Sequence, residues 1–228
     1  MGKAKQPKIR ELHTFPNAFE NFSHLHPQLQ NCKDEVVDFR GKWRQEVFGN
    51  DNPLVLELAC GKGDYTVGLA QMFPEINFIG IDIKGARMWR GAKTALEEGL
   101  KNAAFLRTEI LHIHHFFSEN EVDEIWITFP DPFLKKSRAK KRLTSQRFLD
   151  IYRKFLKLGG IIHLKTDSQP LYDFTLEVIE EGGHQLLYHN DDIYAQPLDF
   201  NELEIKTYYE RMHLENGRTI KYLKFKPA

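Results

Sequence analysis

Cysteine is nearly absent. Cys32 and Cys60 are the two in 228 residues, too few for a disulfide framework or a cysteine-rich zinc site. A reducing cytoplasm suits that usage. No run of about 18 apolar residues occurs, so no membrane-spanning helix is expected. The basic opening, MGKAKQPKIR, has no apolar segment behind it, which argues against a secretory signal. Net charge is missing too: 32 Lys and Arg balance 32 Asp and Glu. Taken alone, that balance argues against a nucleic-acid partner.

The distribution of charge argues the other way. Residues 173–204 hold nine acids and no Lys or Arg. Residues 135–142 hold six bases and no acid, and the first ten residues hold four bases and no acid. Such a molecule can carry one basic and one acidic face, although a single charge run is often only a solvated surface.

Residues 1–32 are basic, contain three prolines and show few periodic apolar positions. A flexible arm is expected there, with a folded domain over 33–228. Apolar spacing in 33–48 predicts a helix. Strand and helix signals then alternate. Strands are expected at 54–58, 77–82, 103–107, 124–129, 160–166, 184–189 and 219–225. Helices are expected at 64–73, 84–99, 145–157, 170–181 and 202–215, with a short one ending near Ser118. A βαβα series of this kind implies an α/β fold, a mostly parallel sheet with helices on both faces. Ligands of such sheets bind beyond the carboxyl ends of the strands, where strand order reverses.

The strand ends carry acids. Gly61-x-Gly63 follows the first strand, but Thr66 stands where a dinucleotide site wants its third glycine. Glu57, four residues before Gly61, would repel a pyrophosphate and suits a cationic ligand. S-adenosylmethionine carries a sulfonium and an ammonium. Asp82 ends the second strand, where a carboxylate can accept ribose hydroxyls. Glu109 follows the third, near where an adenine amine would lie. Together these acids point to that methyl donor as cofactor.

After the fourth strand comes FPDPFLKKSRAKKRL. Pro130 and Pro132 fix φ and restrict their neighbours, so Phe129–Phe133 is expected to be stiff and extended. Asp131 sits on it pre-positioned, as a reacting group needs to be.

That stretch resembles the Pro-Asp-Pro-Trp-x-Lys-Lys signature of the bacterial tRNA (guanine-N7)-methyltransferase family. LELACGKGDYT is similar to the family's donor-binding motif, GIDI to its second motif and LKTDSQPLYD to its fifth-strand segment. TYYE (207–210) is similar to its C-terminal Thr-x-x-Glu. Phe133 stands where the family usually has Trp, and Leu134 precedes the lysines. The resemblance implies a Rossmann-like class I methyltransferase fold with a seven-stranded sheet. It also implies methyl transfer from S-adenosylmethionine to N7 of a variable-loop guanine in tRNA. By resemblance, Glu57, Asp82, Glu109 and Asp131 contact the donor, the backbone at Gly61 and Gly63 makes room for it, and Asp131 is catalytic. Lys135, Asp167, Thr207 and Glu210 then contact tRNA or the target base. Lys136, Arg138, Lys140, Lys141 and Arg142 extend the basic tail along the tRNA backbone, a salt-sensitive attraction.

Other residues carry less. His112, His114 and His115 have no partner at a convincing ligand spacing, so no metal is expected. Cys60 reads as a small buried residue rather than a nucleophile. Tyr208 and Tyr209 suit either base stacking or core packing. Two rival functions stay open at this point: methylation of an exocyclic amine, and RNA binding without catalysis.

Overall fold

Leu54, Leu56 and Leu58 alternate with Val55 and Glu57, and all five are buried. The leucines join one apolar cluster and Val55 another. Alternation with both faces covered is the pattern of a central strand in a two-faced sheet.

The computed structural model describes residues 5–23 and 25–228. In chain order the elements are α1 (Lys5–Leu12), β1 (Ala18–Asn21), β2 (Leu29–Gln30), β3 (Val36–Val37), β4 (Leu54–Leu58), α2 (Asp64–Met72), β5 (Asn77–Asp82), α3 (Gly85–Glu97), β6 (Ala103–Arg107) and β7 (Val122–Thr128). There follow α4 (Gln146–Tyr152), β8 (Leu156–Thr166), α5 (Gln169–Glu181), β9 (Gln185–Asn190), α6 (Tyr208–Glu215) and β10 (Lys221–Lys226). Short 3₁₀ segments cover Ile110–His115, Lys136–Lys141 and Asn201–Glu204, and a π-type turn covers Trp43–Phe48.

The ten strands form one sheet in the order β3-β2-β1-β6-β5-β4-β7-β8-β10-β9. Strands β6, β5, β4, β7 and β8 run parallel. β10 is antiparallel to both β8 and β9. The chain moves outward from β4 in one direction to β6, then returns to β4's other side at β7. That reversal opens a crevice at the carboxyl ends of the two strands. Helices α2 and α3 cover one face with Tyr65, Leu69, Met88 and Ala92, while α4 and α5 cover the other with Leu149, Tyr152, Leu171 and Ile179.

All seven expected strands are present, and three more lie at the β6 edge. Residues 5–23 and 25–32 therefore do not form a free arm. β1 pairs with β6, as Ala18 faces Phe105 and Glu20 faces Arg107. Arg107 Nη1 also donates to the buried Glu20 Oε2 at 2.6 Å, and α1 packs on α3 with Leu12 fully buried. The anchoring contacts come from residues some ninety positions later, so local composition does not reveal them. Residues 1–4, part of the expected arm, lie outside the described residues.

The helix expected over 33–48 is absent as such. Asn31 Oδ1 accepts from Lys33 N and Glu35 N, and Asp34 takes φ +61°. That side-chain turn competes with a helix and closes the β2–β3 hairpin instead. Trp43 then buries itself against Phe19, Phe39 and Phe117. The helix expected over 202–215 is broken at 205–207, where Thr207 caps α6. The one expected over 145–157 is shorter, because β8 already begins at Leu156.

Candidate active site

A cleft of about 670 Å³ opens at the carboxyl ends of β4–β8. Its floor starts at the turn after β4. Ala59, Gly61 and Gly63 take φ of +59°, +58° and +73°, a run of left-handed conformations that glycine adopts at no steric cost. Gly63 also has no room for a side chain: a Cβ there would lie 2.7 Å from the Phe105 ring and 3.1 Å from Gly91 Cα. The two glycines thus serve differently. Gly61 lines the cleft, and Gly63 lets α2 and α3 close together behind it.

Asp82 holds that turn. Its Oδ2 accepts from Gly61 N at 2.9 Å and its Oδ1 from Lys84 N at 2.7 Å. A carboxylate has about four lone-pair sites, so acceptor capacity remains toward the cleft it lines. Glu109 lines the same cleft beside Ile83, Ile110 and Leu111.

Glu57 lies one layer below. It is almost fully buried, and its Oε2 accepts from Thr66 N at 2.8 Å and Thr66 Oγ1 at 2.5 Å, while Oε1 accepts from Thr128 Oγ1 at 2.6 Å. Thr66 is the third residue of α2, and Gly63 at that helix's N-cap has no side chain to offer. Glu57 supplies the missing acceptor from the neighbouring strand. Burial outweighs these hydrogen bonds and pushes its carboxyl up to about 7. Glu57, expected to face the donor, is not among the residues that line the cleft and supports the loop from beneath. Cys60, in that loop, is buried with its thiol pushed well up by desolvation, as a packing residue would be.

The fourth strand ends in the proline bracket. Phe129 and Phe133 take φ of +47° and +42°, so the segment is not simply extended. Both ends turn through the left-handed region, which bulky residues enter only under outside constraint. Phe129 N is held by Lys165 O at 2.8 Å, and its ring stacks on His213 at 5.9 Å. Asp131 is exposed on the cleft wall between them.

The basic run divides. Lys135, Lys136, Arg138, Lys140 and Lys141 are exposed, and Lys141 also lines the cleft. Lys135 is outside the lining. Arg142 turns inward and is 7% exposed, so its expected place on a tRNA backbone is not where the fold puts it.

Asp167, just beyond the end of β8, also lines the cleft, its Oδ2 taking a 2.6 Å ion pair from Arg218 and its Oδ1 lying 3.5 Å from His213 Nε2. Thr207 lines the cleft and caps α6 by accepting from Glu210 N at 3.1 Å. Glu210 does not reach the cleft: it is fully buried, its Oε1 pairing with Lys165 Nζ at 2.8 Å and accepting from Tyr194 Oη at 2.7 Å. It completes the cap from behind. Gly61, Asp82, Glu109, Asp131, Asp167 and Thr207 are therefore gathered, and Glu57, Gly63, Lys135 and Glu210 stand outside the wall. Tyr209, read from the sequence as either a base-stacking or a core residue, lines the cleft, and Arg147, His213 and Arg218 line it without having been anticipated. Isolated residues in α4, α6 and the turn before β10 carry no local motif that marks them.

Among the described residues, no group of three or more His, Cys, Asp or Glu could hold a metal ion, and no helix is long and apolar enough to cross a membrane.

Comparison with known proteins gives the arrangement its family. A model described as a putative methyltransferase matches residues 51–223. A tRNA (guanine-N(7)-)-methyltransferase of Christiangramia forsetii is 50% identical over 98% of this chain and 98% of its own length. Those of Bacteroides fragilis and Porphyromonas gingivalis are 51% and 53% identical, covering 99% and 94% of this chain and 86% of each relative. Among solved structures, the 16S rRNA methyltransferase KamB superposes with a TM-score of 0.64 at 15% identity, over 85% of this chain and 96% of that one. At that identity the likeness speaks for the fold alone. With curated relatives at half identity over nearly its whole length, the chain belongs to the tRNA (guanine-N(7)-)-methyltransferase family.

Proposed function

We propose that the chain transfers a methyl group from S-adenosylmethionine to N7 of a guanine in tRNA, giving 7-methylguanine, in a reducing cytoplasmic setting. The observation that carries the proposal is Asp131 on the cleft wall, with five exposed cations within residues 135–141. The cleft suits the donor. It offers a glycine turn with backbone freedom at Gly61, a carboxylate with spare acceptor capacity at Asp82, and a half-apolar pocket at Ile83, Ile110 and Leu111 beside Glu109. When bound, the donor supplies an electrophilic methyl on a sulfonium.

Guanine N7 has an in-plane lone pair and no proton at neutral pH. No general base is required, so the chain's task is alignment and exclusion of misplaced encounters. Methylation leaves the purine cationic. Asp131 and Asp167, beyond the ends of the neighbouring strands β7 and β8, supply negative charge and acceptors for the guanine N–H edge as that charge develops. Arg218 and His213 hold Asp167 in place. Lys136, Arg138, Lys140 and Lys141 on one rim, with Lys84 and Arg87 on the other, attract the phosphates and set the register of the RNA. Lys135, at the start of the 3₁₀ segment, belongs with the phosphate contacts.

The decisive experiment is incubation with methyl-labelled donor and unmodified tRNA, followed by nucleoside analysis. Label in 7-methylguanosine is expected. Label in an N-methylated amine, or tRNA binding without transfer, would replace the proposal by one of its two rivals.

A further inference from the structure

Arg142 is the one buried member of the six-cation run. Nε donates to Pro132 O at 3.1 Å and Nη2 to Phe133 O at 3.2 Å. Its guanidinium carbon lies 4.3 Å from the centre of the Phe174 ring on α5, a distance at which a cation is held by the ring face. The side chain therefore spans from α5 to the back of the proline bracket.

The bracket needs such a partner. Pro130 and Pro132 have no N–H, so the segment cannot tie itself down by its own ladder. Phe133 at φ +42° must be held in place by its surroundings. Two adjacent carbonyls facing inward want two donors in fixed relative geometry. A guanidinium fork provides them, whereas an ammonium on a flexible stem is a single point charge.

The base from which Arg142 reaches is itself anchored. Leu143 O accepts from Tyr152 Oη at 3.0 Å, and Thr144 Oγ1 is bonded to Thr175 Oγ1 at 2.7 Å, both inside the protein. A contact that began on a mobile loop would transmit nothing. This one begins on α4 and α5 and ends one residue from Asp131.

We propose that Arg142 is a positioning residue: by gripping the Pro132 and Phe133 carbonyls it holds the Asp131 carboxylate over the cleft, and it takes no part in phosphate binding. The proposal rests on the role given to Asp131 above. It also separates two functions within one basic run, with five exposed cations for the RNA and one buried cation for the acid.

The test compares Arg142→Gln and Arg142→Lys on the full chain with unmodified tRNA. Thermal unfolding and donor calorimetry check the fold. Turnover at saturating tRNA is expected to fall about tenfold to a hundredfold in both variants, the scale of a misplaced reacting group. The salt dependence of tRNA binding is expected to stay unchanged in both. A phosphate contact would behave oppositely: Lys would restore function, and Gln would lower the salt slope by about 0.7–0.9 while sparing turnover at saturation. Either that pattern or a lower melting temperature with wild-type turnover overturns the proposal. If Arg142→Gln fails to fold, Arg142→Lys, which keeps charge and stem, decides alone. Asp131→Asn is measured alongside. Full activity there removes the role of the acid, whereas an inactive Asp131→Asn beside a fully active Arg142→Lys removes only the clamp.

Discussion

Lys165 Nζ lies 2.8 Å from Glu210 Oε1, and neither side chain reaches solvent. The pair joins the end of β8 to the first turn of α6, and Lys165 Nζ also donates to Leu203 O and Ile205 O at 3.0 and 3.1 Å. Burial pulls the lysine down from its ordinary value, against the opposing pull of Glu210. Removing one partner leaves a buried charge unpaired. Lys165→Met or Glu210→Gln is expected to cost about 3–5 kcal/mol in denaturant unfolding. The double variant is expected to cost less than the sum of the two. Strict additivity would show that the two groups do not depend on each other.

Glu57 gives a pH prediction. Its folded pKa is raised from 4.5 to about 7 by burial, so the folded state favours the protonated acid. The stability it contributes is complete below the unfolded value and is lost as pH rises through about 7. The total is about 3 kcal/mol at roughly 1.4 kcal/mol per unit. Glu57→Gln cannot ionise and should lack that component. Unfolding free energies at several pH values from 4.5 to 8 should show wild type losing ground to the variant as pH rises. A difference independent of pH would mean that Glu57 is charged in the fold throughout.

The exposed cations are tested by salt. Replacing Lys136, Arg138 and Lys140 together by Gln is expected to lower the slope of log binding constant against log salt by about 0.7–0.9 for each charge that meets a phosphate. None of the three lines the cleft, so donor affinity measured by calorimetry should not change. An unaltered slope would make the run a solvated face only.

Gly63→Ala places a methyl group 2.7 Å from the Phe105 ring at a backbone φ of +73°. Overpacking of this kind typically costs about 1–3 kcal/mol, and here the strain falls on the turn that carries Gly61. Both unfolding stability and donor affinity should drop. Wild-type donor affinity in a destabilised Gly63→Ala would show that the turn moves independently of what packs behind it.

A feature of this fold is legible in the sequence to the extent that the interactions making it are local. The seven strands of the α/β sheet were legible because alternation and apolar runs are local properties. Asp82, Glu109 and Asp131 were legible as cleft residues because the end of a parallel strand has one place to be. The β1–β3 edge was not: the three strands are short, and what holds Ala18–Asn21 is Phe105–Arg107. The 33–48 segment shows the right apolar spacing for a helix, yet Asn31 and the burial of Trp43 overrode it.

The sequence by itself determined that Asp131 would follow a parallel strand between two residues of fixed φ, since the ring closure of Pro130 and Pro132 is covalent and acts whatever surrounds it. It also determined that cations would follow the acid. Only the tertiary structure decided what each of those charges does. Arg142 faces inward because Phe174 lies beneath it and two carbonyls face it. Glu57 caps α2 because Thr66 and Thr128 come within reach, and Glu210 is spent on Lys165. A charged side chain goes where its desolvation is compensated, and these compensating partners belong to other elements, most of them far away in the chain.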